Sequence, residues 1–172
     1  MSKTTGGVRN VKSGGNAHRN RIAEAAEMRA SGKYSSVTMA NKGTGYVAIE
    51  KSSAKHKPEE IEAAMHLANK GYKVILKDEG GSVRTPDGYV FKASFEQKTP
   101  NSSGAKSVNN ALEHAKVKGA KIAVIYDKHR AYDRQTIESG IIRYEGYNHY
   151  RFDRIIVIGP SGNVHIHKHN DT

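Results

Sequence analysis

Pro86-Asp87-Gly88-Tyr89-Val90-Phe91-Lys92-Ala93-Ser94-Phe95-Glu96-Gln97-Lys98 is the stretch on which the reading of this chain turns. Pro86-Asp87-Gly88 is turn chemistry, and Tyr89 to Lys98 reads as one long β-strand whose side chains alternate between two faces. On that period Phe91, Ala93 and Phe95 point one way, and Val90, Lys92, Ser94, Glu96 and Lys98 point the other. The aromatic face would anchor the strand in a core. Glu96 and Lys98 would then emerge together beside the Gly/Pro/Ser-bearing break Thr99 to Gly104, where a cleft can open. Asp87, at the turn entering the strand, would reach the same place by chain bending.

Phosphodiester hydrolysis needs these groups. Two carboxylates can hold Mg²⁺ or Mn²⁺ through oxygen ligands, which neutralises the scissile phosphate and acidifies a bound water. A lysine can position or deprotonate that water and stabilise charge developing on phosphorus. Without a metal the carboxylate pair would repel phosphate, so Asp87 and Glu96 are expected to be metal ligands and Lys98 the water-orienting base.

Downstream, Ser107 to Lys118 reads as a helix ended by Gly119, Lys121 to Tyr126 as a buried strand, and Asp133 to Arg143 as a helix interrupted by Gly140. Arg154 to Ile158 and Asn163 to His167 read as strands joined by Gly159-Pro160-Ser161-Gly162. Upstream, Pro58 opens a helix running to Asn69, and Tyr72 to Lys77 is a strand followed by a turn, Glu79 to Ser82. The order from residue 58 is α-β-β-α-β-α-β-β. Further upstream, Tyr34 to Ala40 and Tyr46 to Glu50 suit a hairpin, and Arg19 to Ala30 a short helix. The Gly/Ser/Asn/Lys-rich start has no acidic residue and no periodicity. The expected domains are a flexible basic arm over residues 1–18, a small helix and hairpin region over 19–56, and an α/β domain over 57–172.

Composition narrows the partners. The 172 residues carry 28 Lys and Arg against 17 Asp and Glu, a formal charge of +11 with a pI near 9.8, so polyanions, and nucleic acid first among them, are the expected partners. Hydrophobic residues make up 36% and mean hydropathy is −0.71, so a core must come from a few well-patterned segments. The absence of cysteine excludes disulfides, thiolate nucleophiles and Cys-ligated zinc. No apolar run approaches the roughly 20 residues of a membrane span, and no secretory h-region is present. A cytoplasmic site of action is the default expectation, with a delivered or phage-encoded origin left open.

Pro86-Asp87, eight intervening residues and Glu96-Gln97-Lys98 resemble the motif of the PD-(D/E)XK nuclease superfamily. The resemblance implies a restriction-endonuclease-like α-β-β-β-α-β core with a central mixed sheet, a divalent metal, and a glutamate on the helix before the motif. At 100° per residue Ile61, Ala64, Met65, Leu67 and Ala68 form that helix's buried stripe. Glu60 lies at its edge while Glu59 and Glu62 face solvent, so Glu60 is the candidate to support metal or water. The alternative is a helix-start charge favoured by the dipole.

A second resemblance covers roughly Lys57 to His167. Ala68-Asn69-Lys70-Gly71-Tyr72-Lys73-Val74, Pro86-Asp87-Gly88 and Glu96-Gln97-Lys98-Thr99-Pro100 look like the toxin nuclease domains that end contact-dependent growth-inhibition proteins. Related domains end some phage head-morphogenesis proteins. Asn109, Asn110, Ala111 and Ala115, then Gly119-Ala120 and Ile122 to Ile125, fit the same layout. This likeness implies tRNA cleavage, a cognate immunity protein as partner, and for some members a metal-free mechanism. Here that mechanism would use Lys98, Thr99 and His114. The chain starts at Met1 without a long delivery region, so a complete delivered toxin is not expected. A third reading is a non-catalytic nucleic-acid-binding or phage accessory protein.

Other residues carry two readings each. Asn110, His114 and Lys118 share a helix face at i, i+4, i+8; it would line the cleft with His114 as a general acid or base, or, the preferred reading, be solvated. Arg84, Lys106, Lys116 and Arg151 are candidate nucleic-acid contacts or plain surface charge. Tyr144 to Phe152 interleaves aromatics with Arg and His, as a base-stacking loop or as core residues leading into a strand. His165, His167 and His169 alternate along a strand, as a zinc face or, preferably, a solvent or phosphate edge.

Overall fold

The computed structural model describes residues 5–52, 55–78 and 85–167, with residues 5–15 described by backbone alone. The elements in chain order are α1 (Thr5–Ala30), β1 (Tyr34–Met39), β2 (Tyr46–Glu50), α2 (Pro58–Ala68), β3 (Lys73–Leu76), β4 (Gly88–Val90), β5 (Ala93–Lys98), α3 (Ala105–Val117), β6 (Ile122–Tyr126), α4 (Arg134–Tyr147), β7 (Arg154–Ile158) and β8 (Val164–His167). The strands form one eight-stranded mixed sheet whose spatial order is the chain order. β2–β3, β5–β6 and β6–β7 are parallel, and the remaining neighbours are antiparallel. The fold is α/β, as the element alternation led one to expect.

Strand alternation sorts the core into two faces. Phe95, Ile122, Val124, Tyr126, Ile156 and Ile158 turn towards α2, where Ala63, Ala64, Leu67 and Ala68 close over them. Ala123, Ile125, Ile155 and Val157 turn the other way, against Val108, Leu112 and Ala115 of α3 and Ile137 and Tyr144 of α4. α1 covers that second face further along the sheet, with Ala25 against Val37, Tyr46 and Ala48. β5 runs through the middle of this sandwich. Phe95 is buried towards α2, so the alternating Glu96 is buried on the α3 face, where apolar side chains occupy the neighbouring strands.

Three expectations are corrected. The long strand Tyr89 to Lys98 is two strands, because Phe91 and Lys92 adopt φ values of 46° and 71°. Two consecutive residues with positive φ make a mirror-image two-residue hairpin. Phe-Lys is a poor composition for that turn, so nothing local announced it. Phe91 stands half-exposed at the tip instead of in the core, with its ring 5.2 Å from that of Tyr72. The split produces α-β-β-β-α-β from α2 to β6, the order the nuclease resemblance implies. Second, the hairpin of the 19–56 region is not set apart: β2 pairs with β3, so the sheet runs through the expected boundary at residue 57. Third, the helix expected from Arg19 begins at Thr5, inside the stretch read as an arm; its glycines and lack of an apolar stripe gave no helical signal.

α4 also outruns its expected end, continuing through Gly140 to Tyr147. A Cβ on Gly140 would stand 2.4 Å from the Val108 Cβ, so the glycine lets α4 pack directly against α3. Gly140→Ala should therefore overpack this contact despite alanine's better helix propensity, costing about 1–3 kcal/mol. Urea unfolding should show a lower midpoint with unchanged slope. A midpoint at or above that of the wild type would mean the helices are free to separate.

Candidate active site

Glu96 is the centre of the site. Its side chain is 1% exposed, yet Oε1 lies 3.3 Å from His114 Nε2, 3.4 Å from Lys118 Nζ and 3.7 Å from Lys98 Nζ. A lone buried carboxylate would cost several kcal/mol, and these groups offset that cost. Lys98 arrives because it is two residues on along β5, hence on the same face. His114 and Lys118 arrive because they are one turn apart on α3, which crosses above. The other oxygen, Oε2, is buried and has no hydrogen-bond partner among the described residues.

Asp87 stands alongside. Gly88 pairs with Phe95, so Asp87 comes next to Glu96 in register where β4 begins. It is buried, and Oδ2 accepts a 2.7 Å bond from the Gln97 backbone N–H. The sequence had to invoke chain bending to bring Asp87 here, whereas hairpin register does it directly. Gly88 permits this, since a Cβ there would lie 1.8 Å from the Ile75 carbonyl oxygen of β3.

Glu60 is placed differently. It belongs to α2, across the sheet from Glu96, and its Oε2 accepts from the Lys57 backbone N–H at 3.2 Å and meets His56 Nδ1 at 3.1 Å. It shares a recess of about 230 Å³ with Gln97, Lys98 and Thr99, so it approaches Lys98 but does not join Asp87 and Glu96. Among the described residues no three His, Asp or Glu side chains converge as a ready-made metal cage. Glu62, expected to face solvent, accepts from the Tyr126 hydroxyl and Lys128 Nζ.

On the α3 side of Lys98 lies a second recess, about 260 Å³, lined by Thr99, Asn101, Ser102, Ser107, Asn110 and His114. The helix face read as solvated is therefore a wall of the cleft. Lys118, not singled out for the site, was detectable only through its i, i+8 spacing from Asn110. Burial first, and then the Lys98 charge, hold the His114 imidazole below its ordinary pKa, while Glu96 pulls in the opposite sense.

The remaining candidates do not gather here. Lys106 is exposed on the first turn of α3. Lys116 donates to Asn148 Oδ1 at 2.8 Å, and the Arg151 guanidinium donates to the Asn148 and Glu145 carbonyls, so both tie down the end of α4. The aromatic loop is structural: Tyr144 and Phe152 are buried, the Tyr144 hydroxyl donates to the Tyr150 carbonyl, and the Tyr150 hydroxyl donates to the Ala120 carbonyl. Of these rings only Tyr147 is prominently exposed. Arg84 and His169 lie outside the described residues.

No helix among the described residues is long and apolar enough to cross a membrane. A scan against protein-family models finds no match, and a search of curated proteins finds none either. Among solved structures the fold is similar to a "CdiA-CT/CdiI toxin and immunity complex from Burkholderia pseudomallei", with a TM-score of 0.55 and 22% identity over 70% of this chain and 98% of that one. The chain therefore shares a fold with a CdiA-CT toxin domain, in keeping with the second likeness read from its sequence. The PD-(D/E)XK resemblance rests on the motif and on element order.

The Glu96 cluster makes a signed prediction for His114. Replacing Lys98 by Met removes a neighbouring positive charge and should raise the His114 pKa, whereas Glu96→Gln should lower it further. Imidazole NMR titrations of the two variants measure both. Movement of His114 in the same direction in both would break the cluster.

Proposed function

We propose that the chain is a metal-dependent endonuclease domain acting on nucleic acid at the Asp87–Glu96–Lys98 cluster. The observation that carries this reading is a buried carboxylate, Glu96, with one oxygen facing three basic groups and the other unpartnered, next to Asp87 in hairpin register. Mg²⁺ is commonly held by one or two carboxylates plus substrate phosphate oxygens, and that is what these two residues offer. When bound, the ion would neutralise the scissile phosphate and acidify a water. Lys98, at the mouth between the two recesses, orients the attacking water and meets the phosphate. Lys118 draws the anionic backbone to the carboxylates, and His114 lies beside it against Glu96. Glu60, held by His56 and the start of α2, faces Lys98 across the recess on the α2 side and steadies its ammonium. The net charge of +11 supports a polyanionic substrate. The fold neighbour, a toxin and immunity complex, supports a toxin-type role for this chain with a cognate immunity protein as partner.

A specific observation favours a metal-free RNase as the second reading. His114, held neutral by burial and Lys98, sits with Lys98 and Thr99 on one recess and could take a proton from a ribose hydroxyl.

Purified protein is incubated with plasmid, single-stranded DNA and total tRNA in Mg²⁺, Mn²⁺ or EDTA. Cleavage should require the metal. Glu96→Gln and Lys98→Met should each lower the rate by at least about 100-fold, with thermal unfolding showing that the variants remain folded. Full activity in EDTA, lost in His114→Ala, would replace the metal mechanism by the second reading. Salt-sensitive binding without turnover under every condition would overturn both.

A further inference from the structure

A cavity of about 540 Å³ lies apart from Asp87, Glu96 and Lys98, none of which lines it. It opens on the same face as α3 and α4, at the carboxyl ends of β6 and β7, the place where parallel strands of an open sheet present ligands. Its volume falls within the roughly 300–1,000 Å³ of small-ligand sites.

The lining has two chemical parts. Ile137, Val157 and Pro160 supply an apolar wall, on the sheet face that β8 shares through His165 and His167. Arg130, His165 and His167 supply the polar rim. The lining acids are already engaged. Asp127 accepts from the Ala131 and Tyr132 backbone N–H groups, and Glu138 is paired with Arg134 at 2.8 Å. The Arg130 side chain makes no hydrogen bond or ion pair among the described residues, and its backbone is held at a φ of 55°, a strained conformation that concentrates at functional positions. Burial keeps the His167 imidazole below its ordinary pKa, so at neutral pH it presents one donor and one acceptor.

Tyr132 joins this cavity to the cleft. It lines the cavity, and its hydroxyl donates a 2.6 Å bond to the Ser102 carbonyl, whose residue lines the recess containing His114. β5, which carries Lys98, and β7, which carries the cavity, are separated only by β6. Two strand spacings amount to about 10 Å, within reach of neighbouring nucleotides on one strand.

We propose that this cavity receives one unpaired nucleotide of the substrate, its base against Ile137, Val157 and Pro160 and its phosphate at Arg130. An apolar wall with a sparse polar rim fits a flipped base better than a duplex backbone. The proposal rests on the nucleic-acid reading of the adjacent cleft, but it is tested by binding.

The four nucleoside 5′-monophosphates are titrated into the full chain without metal, and the imidazole NMR signals of His165, His167 and His114 are followed. At least one nucleotide should shift His165 and His167 saturably. Arg130→Gln should weaken this binding about fivefold to tenfold, the loss of one charge-assisted phosphate contact, and Pro160→Asp, which sets a carboxylate against the nucleotide, should abolish it. Absence of any shift at His165 and His167 at millimolar nucleotide overturns the proposal, as does binding that both variants leave unchanged. Because no cleavage is read, the outcome stands whether or not the chain proves to be a metal-dependent nuclease. If it does, Arg130→Gln should raise KM for a single-stranded oligonucleotide at unchanged kcat.

Discussion

A carboxylate buried in the middle of a sheet is the constraint around which the rest of this molecule is arranged. Glu96 occupies a core position on β5, where neighbouring strands place Ala123 and Ile125 on the same face. An ionised group there is tolerable only with countercharge at hand. The strand itself supplies one cation, Lys98, the end of α3 supplies a second, Lys118, and the His114 imidazole on α3 adds a polar partner. The position of α3 over β5, and the face it turns inward, are thus tied to the chemistry of one side chain. A concentration of positive charge at the mouth of an apolar sandwich is also what a phosphate requires.

The hairpin supplies the complementary constraint. Had Tyr89 to Lys98 been one strand, Asp87 would lie some nine residues from Glu96, at the far end. The reversal at Phe91-Lys92 folds β4 back on β5 and puts the two carboxylates in adjacent register. Positive φ at two non-glycine residues costs about 1–2 kcal/mol each, and the contact between Phe91 and Tyr72 and the β3–β4 pairing offset it. The geometry of the cleft is bought with local strain at the opposite end of the hairpin, away from Asp87 and Glu96.

The site's walls extend beyond its central residues. Lys98 stands between two small recesses, one reaching towards Glu60 and the other towards His114. Tyr132 links the second of these to the larger cavity at the ends of β6 and β7. The carboxyl ends of β5, β6 and β7 therefore form one continuous margin, with the Glu96 cluster at one end and an apolar chamber at the other. A polymer laid along this margin would meet charge first and then a place for a base.

The α/β character, the pairing of Glu96 with Lys98 on one strand face, the i, i+4, i+8 face of Asn110, His114 and Lys118, and the basic charge were all legible in the sequence. Each follows from a local period or a count, and local periods survive folding. What the tertiary structure decided was partnership. Hairpin register, set by an unfavourable turn, determined that Asp87 meets Glu96. Packing of α3 on β5 turned a helix face that looked solvated into the wall of a cleft. The layer to which α2 belongs separated Glu60 from the two carboxylates, and the core claimed Tyr144, Tyr150 and Phe152. These outcomes depend on which surfaces of distant segments face one another, and one-dimensional spacing carries no record of that.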